Sequence, residues 1–462
     1  MLTRFKEKYI GDAAFYKRYL YLALPMILQN AITNLVSFLD NIMVGQLGTE
    51  QMSGVAIVNQ LIFVYNLAIF GAASAASIFG AQYYGKGNHK GHMYSFRFKL
   101  YATLLVTFAT IVLFITKGSD LISLYLTDTV GNGATDVALH YGMQYITVMM
   151  VGLIPFAINQ SYATNIKETG QTVIPMIASF VAVGTNAVLD LVLIFGIGPF
   201  PKLGVIGAAL ATVIARYIEA AIVIIWAHTH KKKNRYLEDA YRGFGIPGAE
   251  LKAILIKGMP LILNEVLWAA GMTTVNQCYS IRGLSVVAAV NIASTITNLF
   301  NIVYIQLGGC ISIIVGQYLG AGELEEAKDA DNKMIAFSVF CCMIVAVVMF
   351  VIGGLFPRIY NTSADIKTLA TSFIAVSALI MPFCSFSHAS YFTLRSGGKT
   401  FVTFLFDSVF TWAVVVPVAF LLAHFTGFGI VSIYFFVQAT ELVKVIIGYC
   451  MIKSNVWLVQ MV

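Results

Sequence analysis

The sequence predicts an all-α polytopic membrane protein, with twelve transmembrane helices in two six-helix lobes related as parallel repeats. Three observations lead to this prediction. The 462 residues are 58% hydrophobic and only 11% charged, which is about half the charge of an average soluble protein. The apolar residues form long runs between short polar loops, as membrane-spanning helices require. Motifs of the first half recur in the second half.

Each apolar run is long enough to cross a hydrocarbon core of about 30 Å as a helix. The first run starts near Tyr19 and continues past Asp40, so it is too long for a cleavable signal peptide. The predicted spans, in chain order, are about 18–44, 53–79, 95–116, 137–160, 173–196, 204–228, 254–280, 286–314, 332–356, 369–394, 402–425 and 428–452.

Lysine and arginine are divided unevenly between the two sides of the membrane. The positive-inside rule places the richer side, and with it both termini, in the cytoplasm. We expect the membrane to be a bacterial plasma membrane. The richer side carries Arg4, Lys6, Lys8, Lys86, Lys90, Arg97, Lys99, Lys231, Lys232, Lys233, Arg235, Arg242, Arg395 and Lys399, and the other carries Lys117, Lys202, Arg282, Arg358 and Lys367.

Two motifs repeat at a constant distance along the chain. Pro25–Asn30 reads PMILQN and recurs 235 residues later as PLILNE, over Pro260–Glu265. Gln82–Gly87 reads QYYGKG and recurs at the same distance as QYLGAG, over Gln317–Gly322. Internal repeats of this length are typical of transporters.

The longest connection, His228–Leu251, is basic and separates six spans from six. We therefore predict an N-lobe over 1–228, a cytoplasmic inter-lobe loop over 229–253 and a C-lobe over 254–462. An even number of spans gives both repeats the same orientation. In such an architecture we expect the substrate to bind between the lobes, which alternate access by rocking.

The chain resembles the MATE (multidrug and toxic compound extrusion) family over nearly its full length. The resemblance rests on five motifs together, none of which is specific alone. They are Pro25–Gln29 (PMILQ), Asp40–Gly48 (DNIMVGQLG), Gly80–Gly85 (GAQYYG), Asn186–Asp190 (NAVLD) and Gly207–Thr212 (GAALAT). It implies a secondary active antiporter. We do not expect a membrane enzyme, because no nucleophile–base set or metal-ligand spacing appears within the spans. Such a transporter exports organic, often cationic or amphipathic, compounds in exchange for Na⁺ or H⁺.

The resemblance also implies a coupling site at Asp40, Asn186, Asp190 and Thr212. Their predicted depths agree, since all four fall in the outer half of the membrane. These oxygen ligands suit a hard monovalent cation, so they would be the metal ligands if Na⁺ is the coupling ion. Alternatively, the two carboxylates share a proton. The competing interpretation is structural: Asp40 ends its span, and Asn186 hydrogen-bonds between helices.

Glu265 lies near the midplane of span seven, where an ionisable residue is a functional candidate. The alternative is a glutamate hydrogen-bonded to Asn264, Asn276 or a neighbouring helix. Aromatic and polar side chains elsewhere could line an adaptable substrate pocket. The candidates for substrate contact are Glu265, Trp268, Gln277, Tyr65, Gln60 and Asn66.

Two further charged pairs have helical i, i+3 spacing, Arg216 with Glu219 and Glu441 with Lys444. That spacing predicts that each pair neutralises itself on one helix face. Asp407, about five residues into span eleven, is expected to lie at the cytoplasmic interface.

Other functions fit less well. A lipid-linked saccharide flippase of the related superfamily is the alternative, but it needs a cationic cavity, and Arg216 is the main candidate arginine. Gly80–Lys86 resembles a phosphate-binding loop, yet Gly87 stands where Ser or Thr is required.

The six cysteines form no CxxC pair. We expect no cofactor beyond the coupling ion, no nucleic acid, a monomer, and small-molecule substrates and the lipid bilayer as partners.

Overall fold

A computed structural model describes residues 8–126 and 134–462. Arg4 and Lys6, on which the topology prediction partly rests, lie outside these ranges. Within them, twelve helices are long and apolar enough to cross a membrane, and no strand occurs. The predicted fold class and number of spans are confirmed: this is an integral membrane protein.

Most of the helices are longer than the predicted apolar spans. For example, α3 begins at His89, because a helix can continue through polar residues once it leaves the hydrocarbon. The helices are α1 Ala13–Gly45, α2 Thr49–Gly85, α3 His89–Ser123, α4 Ala134–Glu168, α5 Val173–Phe195, α6 Val205–Thr229, α7 Gly248–Ser280, α8 Leu284–Ala321, α9 Leu324–Gly353, α10 Ala364–Ser396, α11 Thr400–Phe425 and α12 Ile430–Lys453.

The chain divides into two compact units. Unit 1 consists of the described part of residues 1–27, the short segment Ala81–Asn88 and Ala253–Val462. Unit 2 consists of Leu28–Gly80 and the described part of His89–Lys252. The predicted lobe boundaries stay a prediction.

The N-terminal part of α1 is integrated into the core of unit 1. Tyr19, Leu22 and Met26 are buried in one apolar cluster with residues of α8, among them Leu307 and Cys310. The Tyr19 hydroxyl donates a hydrogen bond to the Leu307 carbonyl oxygen at 3.0 Å. A buried phenol therefore anchors the start of the chain to a helix nearly 300 residues away.

The segment Ala81–Asn88 is held in unit 1 through Gln82, which is fully buried. Its side-chain amide donates to the Ser396 carbonyl oxygen at 2.8 Å. Its amide oxygen accepts from the backbone N–H of Met461 at 2.7 Å. One glutamine thus joins the end of α2 to α10 and to the C-terminal tail.

In unit 2, a connection over residues 196–204 joins α5 to α6, and the two helices pack closely. Gly196 adopts φ +73°, a left-handed conformation that favours glycine after a helix. A Cβ on Gly207 would lie 2.6 Å from the Leu193 carbonyl oxygen, so glycine lets the two backbones approach. This close approach brings Asn186 of α5 within reach of Thr212 of α6.

Two basic residues that the topology prediction counted on the cytoplasmic side, Arg97 and Lys99, are buried in unit 2. The Lys99 ammonium is 2.5 Å from a carboxylate oxygen of Glu168. The guanidinium of Arg97 donates to four carbonyl oxygens of the long inter-half connection, at 2.7–2.9 Å, those of Ala240, Gly245, Asp239 and Arg242. Arg97 therefore fixes that connection against α3.

Candidate functional site

Two aspartates of unit 2 come together in the structure. Asp40 lies near the C-terminal end of α1, and its carboxyl group lies beside that of Asp190 on α5. Asp190 is only 1% exposed. Both of its oxygens, and Oδ1 of Asp40, are buried and accept no hydrogen bond from a described donor.

Asn186 and Thr212 adjoin this aspartate pair. Asn186 is one turn before Asp190 on α5, and its side-chain amide donates to the Thr212 hydroxyl oxygen at 3.5 Å. The Thr212 hydroxyl also donates to the Ala208 carbonyl oxygen at 3.1 Å. All four residues that the resemblance implied are thus gathered in unit 2, while their role in coupling stays a prediction.

The aspartate pair has a further neighbour, Tyr145, that was not predicted from the sequence. Tyr145 of α4 is buried, interacts with Thr212 and lies within electrostatic range of both aspartates. Its hydroxyl donates to the Asn59 side-chain oxygen of α2 at 3.4 Å. A lone tyrosine in an apolar span carries no periodic signal, so the sequence offered no means of selecting it.

The chemistry of the pair suits a proton or a monovalent cation. Two ionised carboxylates side by side in a low dielectric repel each other, and unpaired buried oxygens are costly. A shared proton or a bound cation would offset both costs. Among the described residues, no group of three His, Cys, Asp or Glu side chains could hold a metal ion. The ligands available here are therefore two carboxylates and neutral oxygens.

Arg216, one turn after Thr212 on α6, supplies positive charge to the same interior. Its guanidinium donates to the Gly152 carbonyl oxygen at 3.3 Å and lies 4.9 Å from the centre of the Phe156 ring. Glu219 instead accepts a hydrogen bond from Ser179. The prediction that Arg216 and Glu219 neutralise each other was wrong, because no ion pair between them occurs in the described structure.

Unit 1 contains a second buried polar cluster, centred on Asp407. The Lys444 ammonium is 2.6 Å from one Asp407 oxygen, and the Asn264 amide donates to the other at 3.0 Å. Lys444 thus pairs with Asp407 of α11 rather than with Glu441, contrary to the i, i+3 prediction. Asp407 lies in one of two π-helical turns of α11, and such turns are frequent at functional sites.

Glu265 is half-buried on α7, next to Asn264 in this cluster. The charged groups of Arg395 and Asp407 lie within electrostatic range of its carboxyl group. Two other residues of α7 that were expected to contact substrate, Trp268 and Gln277, are exposed, Trp268 by 38%. The structure therefore places Glu265 apart from the aspartate pair, in the other unit.

The three α2 candidates lie in different environments. Gln60 is exposed, and Asn66 is half-buried with its amide oxygen unpaired among the described donors. Tyr65 is buried, and its hydroxyl bonds to the Thr107 hydroxyl and the Leu153 carbonyl oxygen, both at 2.9 Å. Gln60 and Asn66 thus retain free polar groups, whereas the polar group of Tyr65 is already engaged.

Comparisons with known proteins agree with this architecture. The family model described as MatE matches the chain twice, over residues 25–192 and 260–421. The "Probable multidrug resistance protein NorM" of Thermotoga maritima is 24% identical over 90% of this chain and 87% of its own length. The "Probable multidrug resistance protein YoeA" of Bacillus subtilis is 22% identical over 92% of this chain and 90% of its own length.

Solved structures show the same fold. An outward-facing multidrug resistance MATE family transporter of the MOP superfamily superposes with a TM-score of 0.85 at 20% identity, over 96% of both chains. A MOP superfamily transporter from Pyrococcus furiosus gives 0.84 at 20% identity, also over 96% of both chains. With twelve helices in the described residues long and apolar enough to cross a membrane, and a family match that covers most of both halves, the chain belongs to the MatE family of membrane transporters and is not an enzyme.

Proposed function

We propose that this protein is a secondary active antiporter of a bacterial plasma membrane, with both termini in the cytoplasm, acting as a monomer. It exports organic cationic or amphipathic compounds in exchange for Na⁺ or H⁺. The relatives named as multidrug resistance proteins support efflux. The observation that carries ion coupling is the pair Asp40 and Asp190, in which three buried carboxylate oxygens accept no hydrogen bond from a described donor.

In this proposal the coupling ion is carried by the transporter, and its positive charge neutralises the aspartate pair. Asp40 and Asp190 hold it, while Asn186 and Thr212 supply neutral oxygens. A loaded pair and an empty pair carry different charge, so the two states favour different conformations. A gradient that loads the pair on one side of the membrane can then drive export.

Arg216 bears on the flippase alternative. A pyrophosphate carrier needs exposed cationic groups, whereas this guanidinium bonds to a backbone carbonyl oxygen and packs on Phe156. Because the Arg216 guanidinium already contacts protein groups, it favours efflux of cations over the flippase alternative. For substrate contact we propose Glu265, Trp268, Gln277, Tyr65, Gln60 and Asn66.

The test uses purified protein in liposomes, a fluorescent organic cation, and Na⁺ and H⁺ gradients imposed separately. Asp190→Asn should reduce gradient-driven export to background, while dye binding to detergent-purified protein stays within about threefold of wild type. Asp331→Asn is the control, because Asp331 is an equally buried carboxyl outside the pair. Export by Asp190→Asn near the wild-type rate under either gradient would refute the coupling assignment.

Glu265→Gln separates substrate binding from coupling in the same assay. We expect weaker dye binding, with the ion-dependent change in intrinsic tryptophan fluorescence retained. Wild-type dye affinity in this variant would remove Glu265 from the substrate site without affecting the assignment of Asp190.

A further inference from the structure

Unit 1 contains a cavity of about 470 Å³ that the proposed transport function does not use. It lies between the first half of α9, the end of α12, residues at the start of the chain and the segment after α12. All of its lining residues belong to unit 1. The positive-inside rule places the end lined by Lys328 and Lys453 at the cytoplasmic membrane surface.

That end of the cavity is cationic. Lys8, Lys328 and Lys453 line it, and no lining residue is acidic. None of the three lysines forms an ion pair with a described carboxylate. The ammonium groups of Lys8 and Lys453 lie near the aromatic rings of Tyr9 and Tyr449, at 5.1 and 5.9 Å from the ring centres. Three lysines thus line one cavity, and none of them is paired with a carboxylate in the described part of the chain.

The cavity becomes apolar with depth. Along one face of α9 its wall reads Lys328, Asn332, Ile335 and Val339, a change from charge to hydrocarbon over about 16 Å of helix. Phe386 of α10, ten residues before the helix end, lines the apolar part. Ammonium groups at the water boundary and hydrocarbon walls below them match the two parts of a membrane lipid.

We propose that this cavity binds an anionic glycerophospholipid, with its phosphate between the three lysines and an acyl chain along Val339 and Phe386. A soluble anion would leave the apolar half unfilled. An organic cation, as the transported substrate is proposed to be, would meet three like charges. A zwitterionic lipid carries no net charge and gains much less from the lysines. The site is therefore distinct from the transport site and selects for negative headgroup charge.

The experiment measures lipid retention by native mass spectrometry of the detergent-purified protein. The protein is offered equimolar phosphatidylglycerol and phosphatidylcholine with identical acyl chains. The triple variant Lys8→Gln, Lys328→Gln, Lys453→Gln removes the charges. The control variant Lys86→Gln, Lys90→Gln, Lys231→Gln removes three exposed lysines from the same predicted side of the membrane. Wild type and control should retain phosphatidylglycerol preferentially.

The triple variant should lose this preference, because each lysine near the surface contributes about fivefold to binding an anionic lipid. Phosphatidylcholine retention should not change. An unchanged preference in the triple variant, or an equal loss in the control, would overturn the proposal. Millimolar inorganic phosphate should not displace the lipid; complete displacement would show that the site recognises a free anion.

A second variant tests the cavity rather than the surface charge. Ala336→Phe fills the apolar part without changing any lysine. It should reduce phosphatidylglycerol retention at least tenfold, provided that its melting temperature in detergent alone stays within a few degrees of wild type. Full retention by this folded variant would place the lipid on the surface and refute binding within the cavity.

Discussion

Gly85 packs directly against the backbone of Gln317: a Cβ on Gly85 would lie 1.9 Å from the Gln317 carbonyl oxygen. The equivalent glycine of the second repeat, Gly320, has the same relationship to the Gln82 carbonyl oxygen, also at 1.9 Å. The repeated QYYG and QYLG motifs therefore cross each other symmetrically within unit 1. A carbonyl group cannot move aside as a flexible side chain can, so only glycine fits at either position.

Gly85→Ala and Gly320→Ala should each destabilise the protein. The added methyl group overlaps backbone, and overpacking of this kind costs about 1–3 kcal/mol. We expect a lower melting temperature in detergent, measured by intrinsic fluorescence. Gly184→Ala is the matched control, because a Cβ at this helical position meets nothing within 4 Å. It should be neutral or slightly stabilising; equal losses in all three variants would contradict the close crossing.

Asp40 and Asp190 should behave as one functional unit. If the coupling ion needs both carboxylates, Asp40→Asn alone removes most of the coupling, and adding Asp190→Asn removes little more. The rate of gradient-driven dye export by the double variant should therefore be no lower than that of the slower single variant. If the effects of the two single variants on the logarithm of the export rate add in the double variant, the two carboxylates act independently.

Lys444→Met should destabilise unit 1 strongly. Removal of the lysine leaves Asp407 as a buried charge without its partner, which costs about 3–5 kcal/mol. The double variant Lys444→Met, Asp407→Leu removes both charges and should recover most of the loss. Denaturant unfolding or detergent melting measures both. A double variant as unstable as Lys444→Met would show that hydrogen bonding to Asn264, rather than charge, dominates the cluster.

Arg97→Lys should release the inter-half connection, although it keeps the positive charge. A lysine has no planar fork of donors and cannot reach four separate carbonyl oxygens. We expect trypsin to cleave between residues 231 and 242 at least tenfold faster, measured by gel electrophoresis on the purified protein. Arg242→Lys is the control, because Arg242 pairs with Asp239 at the surface and lysine preserves the cleavage site. Equal cleavage of both variants would contradict the anchoring role.

The twelve spans could be predicted because membrane-spanning helices must be apolar over their whole crossing. The helix ends could not, since hydropathy stops at the hydrocarbon boundary and α3 continues beyond it to His89. The proximity of Asp40 and Asp190 was expected from their similar depth. Depth does not specify which helices are neighbours or which helix face a residue occupies. It therefore could not predict that Tyr145 of α4 belongs to this group.

Charge pairing was the weakest part of the sequence interpretation. The i, i+3 rule considers one helix at a time, whereas Lys444 forms its ion pair with Asp407 on another helix, 37 residues away. The same limit applies to Arg97 and Lys99. The positive-inside count treats both as cations of the cytoplasmic surface, but buried acceptors, from the connection and from Glu168, keep them inside unit 2. Tertiary partners of this kind leave no local pattern in a single sequence.

The hydrogen bond from Tyr19 to Leu307 also constrains the order in which the protein can be made. The ribosome delivers α1 first, yet the core that buries Tyr19 and Met26 includes α8, about 290 residues later. Until then the N-terminal part of α1 has only lipid or the translocation machinery as neighbours. Completion of unit 1 must therefore be a late, post-insertion event, and nascent chains that end before α8 should hold this helix in a non-native environment.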